Sequence, residues 1–437
     1  MMKFKVLSLF LFLSFFLFQC QDPGEDGQSD PISDNFQKPV NPTTPGAKRS
    51  WTYLFYNAAD FTPGYDPTID FYREMNENNA DIYVLMLRDV HADNAGQCNA
   101  LLRRSLTDST AAIYRVKSEK VELQKEMGEI NMGLSSTLAE FITYGKTYFP
   151  ADRYLLAFYD HGGGYRGSCT DDTDDGWLTM VEKRQAFEQA GRVDLVMFTA
   201  PCLMGSIEAM YEIKDHTDFY IGSENLSGYC YWDHSMTDIR KLLEAGAAIS
   251  TPDLAQNIIQ ILGKYGCTEY DGEASMTFSA VGRDGLGDIV DLFGEICTYY
   301  LGQEEKFRGF MDAAYGQIQT YWDHSMDLYA LSEHLSDMET DPGMLKKLTR
   351  LRQLIDGAVL AEVHGAEVPG SRGMSVHCPR NEVKTYNQVE YTKTLFHQQT
   401  QWGRLLQAYN RSGQAAQNWR MLIKGHNGKT PFGKSNT

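Results

Sequence analysis

Two side chains in this 437-residue chain are placed for nucleophilic chemistry, His161 and Cys202. Each follows an apolar run of strand length. Arg153-Tyr-Leu-Leu-Ala-Phe-Tyr-Asp leads into His161-Gly-Gly-Gly164, and Val193-Asp-Leu-Val-Met-Phe-Thr-Ala-Pro leads into Cys202-Leu-Met-Gly205. Open α/β sheets gather their chemistry at the carboxyl ends of parallel strands. An imidazole and a thiol delivered there by neighbouring strands make a nucleophile with its base. A free thiol, with a pKa of about 8.5, is mostly protonated at neutral pH, and a nearby imidazole or helix N-terminus favours the thiolate. Cys202 stands just before a segment of helical pattern, Ile207 to Lys214. Gly162 lets the chain turn after His161 and leaves a backbone N–H free. Taken singly, Cys202 also reads as a small buried hydrophobe and His161 as a structural histidine. Their joint placement at consecutive strand ends favours the dyad.

The elements that must position these loops follow from periodicity. Trp51 to Asn57 reads as a buried strand, Phe71 to Asn78 as a helix and Asp81 to Leu87 as a second strand. Ala111 to Lys117 reads as a third strand, at a sheet edge. Met132 to Tyr148 has apolar residues at helical spacing and is stopped by Pro150. Leu178 to Ala190 is a helix and Asp218 to Gly222 a short strand. This alternation predicts a mainly parallel sheet covered on both faces. Beyond Glu244, Leu254 to Tyr265, Ile289 to Leu301 and Met344 to Leu360 carry helical patterns. Ser275 to Val281 and Gly373 to Cys378 read as strands that extend the sheet, with the helices bundled beside it.

Asp160-His161-Gly162 and Pro201-Cys202-Leu203-Met204-Gly205-Ser206 with Glu208 together resemble the reactive loops of clostripain-type cysteine peptidases, which share a caspase-like fold. Trp51 to Asp60 is similar to that family's opening strand, Cys169 to Thr173 to its acidic loop, and Gly370 to Val376 to its late strand. The resemblance spans most of the mature chain. It implies a caspase-like αβα sandwich with a mainly parallel central sheet and a mostly helical C-terminal subdomain. It also implies an endopeptidase whose oxyanion is held by the backbone N–H groups of Gly162 and Cys202. The family cleaves after Arg or Lys and carries an aspartate two residues before the nucleophile, where this chain has Ala200. Glu224 matches a later acidic position of the family and partly compensates. Ala200-Pro201-Cys202 also departs from the Gln-Ala-Cys signature of caspases, which argues against aspartate specificity. The family matures by self-cleavage between its two loops, where Arg166, Lys183, Arg184 and Arg192 offer basic sites.

Composition bounds the remainder. A net charge of −18 argues against nucleic-acid binding, which needs a basic face; the partner that the resemblance implies is a protein or peptide substrate. Lys3 and Lys5 precede the apolar run Val6 to Phe18, a secretory signal too short to span a membrane comfortably. Cys20 directly follows and resembles the lipidated cysteine of a bacterial lipoprotein; an ordinary cleaved signal is the other reading. The expected layout is a signal at 1–19, a flexible lipid-anchored tether at 20–50 and a catalytic domain at 51–250. A helical subdomain at 251–437 contributes the late strands. The chain would be exported and held at the outer membrane or cell surface. The seven cysteines beyond Cys20 are odd in number, so at least one thiol is free. They lack a Cys-x-x-Cys pair, and no metal site is expected from them. The acidic run Asp171-Asp172-Thr173-Asp174-Asp175 reads as a calcium loop or as a solvated surface, and no other cofactor is expected. Tyr-Trp-Asp-His-Ser-Met occurs at 231–236 and again at 321–326, and Trp232 is a candidate for lining a substrate cleft. A competing function is a catalytically weak or inactive surface-binding lipoprotein on a peptidase-like scaffold.

Overall fold

The computed structural model describes residues 36–62, 64–198, 200–227, 232–268, 274–322, 324–379 and 388–410. From Gln37 onward they form one compact unit. The strands are β1 (Arg49–Ala59), β2 (Ile82–Val90), β3 (Ala111–Lys117), β4 (Lys120–Gly128), β5 (Ala151–Tyr159), β6 (Thr170–Asp171), β7 (Gly176–Trp177), β8 (Val193–Met197), β9 (Thr217–Gly222), β10 (Thr277–Gly282), β11 (Ser325–Asp327), β12 (Val359–His364) and β13 (Ser375–His377). Nine of them form one sheet in the order β12-β10-β9-β8-β5-β1-β2-β3-β4. The middle five, from β9 to β2, are parallel. The outer pairs at either end run antiparallel.

Alternating side chains of β1 supply two apolar layers, as the two-residue period of a strand requires. Leu54, Tyr56 and Ala58 join a core with Leu138 and Phe141 of the helix Ser135–Tyr148, Phe187 of Met180–Ala190 and Ile207 of Ile207–Glu212. The same core runs on into the C-terminal helices through Ile289, Leu331, Leu351 and Trp402. Trp51, Tyr53 and Phe55 face the opposite layer, with Phe71, Ile239 and Leu254 of the helices Thr68–Glu74, Trp232–Glu244 and Thr251–Leu262. The sheet is thus covered on both faces, and the core continues across residue 250.

Several expectations need correction. β3 is not an edge, because β4 pairs outside it. Its sequence, Lys-Val-Glu-Leu-Gln-Lys-Glu-Met-Gly, alternates weakly and is dominated by charge, so it carries little strand signal. The last part of the expected tether also has structure: the N–H groups of Val40 and Asn41 donate to the carbonyls of Leu123 and Gln124 on β4, at 3.0 and 2.8 Å. The helix expected over Met344 to Leu360 spans Pro342–Ala358, and the chain passes directly into β12, which lies antiparallel on β10. β13 does not extend the main sheet; it pairs with β11 in a separate ribbon. The repeated hexapeptide adopts two conformations. Its first copy opens the helix Trp232–Glu244, whereas its second turns at His324, with φ 64°, into β11.

Candidate active site

β5 and β8 are hydrogen-bonded parallel neighbours, with Leu155, Leu156 and Ala157 opposite Leu195, Val196 and Met197. Both reactive loops therefore leave the same end of the sheet, side by side. The histidine loop begins with Asp160, whose φ of 140° is strained for a residue with a side chain. Its buried carboxylate accepts the backbone N–H groups of His161 and Thr170, and the Thr170 hydroxyl at 2.7 Å. Burial pushes this carboxyl up to about 7, against the pull of the Thr170 and His161 donors. The strained, hydrogen-bonded turn at Asp160 directly follows the end of β5 at Tyr159.

His161 is exposed, and its ring meets Phe61 edge-on with centroids 5.1 Å apart. The desolvation it does experience lowers its pKa, and Asp172 opposes this. A neutral imidazole is what a general base needs near neutral pH. Gly162 pairs with Ser168 in an isolated antiparallel bridge whose hydrogen bonds come from Gly163 N–H, to Gly167 O at 2.9 Å, and Cys169 N–H, to His161 O at 3.1 Å. The N–H of Gly162 is left out of that ladder. Glycine is required here because a Cβ at 162 would stand 2.7 Å from the nitrogen of Cys202 and 2.8 Å from the carbonyl carbon of Pro201.

The nucleophile loop is held from the other side. Leu203, with φ 64°, donates its N–H to Asn225 O at 3.0 Å, and Gly205 N–H reaches Ser223 O at 2.6 Å. These bonds fasten the loop to the segment after β9. The half-buried Cys202 sulfur accepts the N–H of Ser227 at 3.3 Å and lies 3.6 Å from Ser227 O, while the Ser227 hydroxyl donates to Ala200 O at 2.7 Å. Ser227 lies 25 residues from Cys202, and no local signal in the sequence marks it. The helix expected to favour the thiolate begins only at Ile207 and is capped by Ser206, whose hydroxyl accepts Ala209 N–H at 3.3 Å. A helix dipole acts mainly within its first turn, so the nearer donor to the sulfur is the Ser227 N–H. Glu208 is fully buried and accepts His377 N–H and the Tyr391 hydroxyl, each at 2.9 Å, which ties this helix to β13.

The remaining expected positions fall as follows. Ala200 is 1% exposed and belongs to an apolar layer of the sheet. Glu224 is equally buried, and its Oε2 accepts Gly373 N–H at 3.0 Å. Beside it Asp327 accepts Ala330 N–H and Arg372 N–H, both at 2.7 Å. Burial and the facing Asp327 charge hold Glu224 well above the usual carboxylate range, and burial pushes Asp327 up to about 7. Sequence reasoning found Glu224 but not Asp327, which reaches it from the far side of the second hexapeptide. That copy also brings Trp322, 71% exposed, against the site: its N–H donates to Asn225 Oδ1 at 3.2 Å. The side chain of Trp232, all of Asp323 and Cys20 lie outside the described residues. Of the basic residues between the loops, Lys183 is fully buried, donating to Ser168 O and Leu178 O, whereas Arg192 is exposed.

The sequence profile of the clostripain family matches residues 69–362. Clostripain of Hathewaya histolytica is 35% identical over 132 residues, covering 24% of this chain and 25% of that protein. The chain thus aligns with about a quarter of the length of this curated relative. Among solved structures, a secreted C11 cysteine protease of Bacteroides thetaiotaomicron, "iotapain", matches with TM-score 0.60 and 15% identity over 81% of this chain and 100% of its own. The same kind of protease bound to an irreversible peptide inhibitor gives TM-score 0.57 at 15% identity, over 82% and 99%. An inactive zymogen C11 protease of Parabacteroides distasonis gives TM-score 0.57 at 16% identity, over 81% and 99%. At these identities the structural matches speak to the fold.

Proposed function

We propose, given that the chain belongs to the clostripain family, that it is a cysteine endopeptidase with Cys202 as nucleophile and His161 as its base. The Cys202 sulfur attacks the scissile carbonyl carbon as the imidazole takes the thiol proton. The imidazolium then protonates the departing amine, leaving a thioester that water hydrolyses with His161 again as base. The N–H groups of Gly162 and Cys202 would hold the oxyanion, the kind of preorganised donor pair that contributes most in acyl transfer. The observation that carries this reading is the contact of Gly162 with the Cys202 backbone, which joins the two loops at one point.

A preference for Arg or Lys at the cleaved bond is supported by the Glu224–Asp327 pair. Two carboxyls this close and this buried share protons when alone. A cationic side chain entering beside them would let both ionise, which favours a basic residue over a neutral one. Export with lipid attachment at Cys20 completes the proposal, and replacing Cys20 with Ser should release the protein from the membrane fraction.

The test is a peptide-library cleavage profile together with labelling by a thiol-reactive peptide ending in Lys. Cleavage after Arg or Lys and stoichiometric modification at Cys202 are expected. Modification of other thiols only, with no cleavage of any library member, would overturn the peptidase reading.

A further inference from the structure

Two large apolar side chains stand open to solvent beside the Cys202 loop, Trp322 at 71% and Leu226 at 37% exposure. Asn225 links both to that loop. Its carbonyl accepts Leu203 N–H at 3.0 Å, its side-chain Oδ1 accepts Trp322 N–H at 3.2 Å, and its Nδ2 donates to Ser275 O at 3.0 Å. Leu226 follows directly, and Ser227 after it donates its N–H to the Cys202 sulfur at 3.3 Å. The backbone that presents Trp322 is fixed as well. His324 N–H donates to Tyr321 O at 3.0 Å and Tyr321 N–H to Ser325 O at 2.9 Å, which closes a tight turn. Tyr321 is buried, with its hydroxyl 2.7 Å from Ser371 Oγ, so Trp322 alone of the pair faces outward. Single apolar residues scattered over a surface are ordinary. These two are held in place at the flank of a nucleophile, so little ordering remains to oppose binding there.

The strand order assigns this flank to one half of a substrate. β8, which leads to Cys202, lies between β5, which leads to His161, and β9, which leads to Asn225. A base that returns its proton to the departing amine must face the leaving half of the peptide. That half therefore lies on the β5 side. The half that stays on sulfur as the acyl group lies on the β9 side, with Leu226 and Trp322. The buried carboxyls of Glu224, next to Asn225, and of Asp327, just beyond the Trp322 turn, belong to the same flank.

Resting on the Cys202–His161 peptidase reading, we infer that Trp322 and Leu226 form the subsite for an apolar side chain on the substrate residue immediately before the basic one. Consecutive Cα atoms are about 3.8 Å apart. One step along the acyl chain from the attacked residue therefore comes level with Leu226, itself one step from the Ser227 N–H on the sulfur. An extended chain sends successive side chains to opposite sides. The basic side chain enters toward the buried carboxyls, and its predecessor turns outward, where Leu226 and the Trp322 indole cover it. An indole offers a large apolar area and loses little freedom on binding. The favoured substrate thus carries an aliphatic or aromatic residue followed by Arg or Lys.

The experiment uses the full chain and internally quenched peptides that carry Leu-Arg or Gly-Arg before the cleaved bond and are otherwise identical. A second pair places the Leu or Gly just after the bond. For the first pair kcat/KM should favour Leu-Arg by about tenfold or more, the low end of what burying one apolar side chain supplies. Trp322→Ala should bring that ratio within about threefold, Leu226→Ala should lower it in part, and Trp322→Phe should keep most of it. Met338→Ala, at an exposed apolar residue ending the helix Leu328–Met338, should leave it unchanged. The same peptides titrated calorimetrically into Cys202→Ala should show the preference in Kd, and Cys202→Ala with Trp322→Ala should lose it. Equal cleavage of Leu-Arg and Gly-Arg, an unchanged ratio in Trp322→Ala, or a preference confined to the second pair would overturn the subsite while the peptidase stands. No cleavage, with the Kd preference present and lost in the double variant, would overturn the peptidase while the surface stands. Neither cleavage nor binding would overturn both.

Discussion

Gly162 touches the backbone of Cys202 so closely that a Cβ on residue 162 would sit 2.7 Å from the Cys202 nitrogen. The two loops that carry the sulfur and the imidazole are thus in direct main-chain contact. No side chain fits between them without moving one loop.

Gly162→Ala should therefore lower kcat/KM by about 100-fold or more, the scale of losing one oxyanion donor. Matched fluorogenic peptides measure this directly. Activity within threefold of wild type would show that the contact does not set the geometry of the reaction.

Cys202→Ala and His161→Ala should each reduce hydrolysis by roughly a thousandfold or more, since dyad members act as a unit. Neither side chain is fully buried, so melting temperatures should stay near wild type. Retained turnover in a folded variant would remove that residue from the mechanism.

Asp160→Asn offers only one acceptor oxygen where three donors now converge. A loss of about 1–3 kcal/mol in stability is expected, the cost of leaving a buried donor unmade. If Asp160 also positions His161, kcat should fall more than KM rises, and the acid limb of the pH–rate profile should move. A stability change with an unaltered profile would make the residue purely structural.

The reactive loops were readable because each joins a strand-length apolar run to a turn of small residues. The parallel centre of the sheet was readable for the same reason: β1, β2 and β5 are long and apolar. β4 and β12 were not. β4 alternates too weakly among charges, and β12 follows directly on its helix, where Gly357 lies inside the last helical turn and the apolar pattern reads on to Leu360. Asp327, Ser227 and Trp322 are invisible locally, since each reaches the site across 25 or more residues of chain. The two copies of one hexapeptide make the limit concrete: one begins a helix and the other turns into a strand.

Glu224→Gln removes one charge of the acid pair beside the site. The ratio of kcat/KM for Arg or Lys over a neutral residue should fall roughly tenfold to a hundredfold. Ala200→Asp, which would restore the family's charge, instead places a carboxylate in an apolar layer and should lower the melting temperature. An unchanged ratio in Glu224→Gln would separate the acid pair from substrate recognition.

Asp89 titrates near pH 9 when folded, driven first by burial and then by Asp171, Asp60 and Glu129. An unfolded aspartate ionises near pH 4. A raised pKa stabilises the fold below the unfolded value, and this stability is lost as pH rises to the folded one. Asp89→Asn lacks this loss. Its stability relative to wild type should therefore climb between about pH 4 and pH 9, by at most about 1.4 kcal/mol per unit. Urea unfolding at pH 5, 7 and 8.5 checks the trend, and a flat difference would contradict it.

The strip at Val40 and Asn41 on β4 has a consequence for life among extended chains. A sheet edge with open N–H and C=O groups is a rail on which any unfolded peptide, including a substrate, can lie down. Here the rail is occupied by the chain itself. The strip is bracketed by Pro39 and Pro42, with Pro45 beyond, and proline offers no N–H to a further strand. The ladder therefore ends where it begins to face outward. A form trimmed to residue 42 should regain that rail, and with it a tendency to pair edge to edge or to hold peptides far from Cys202.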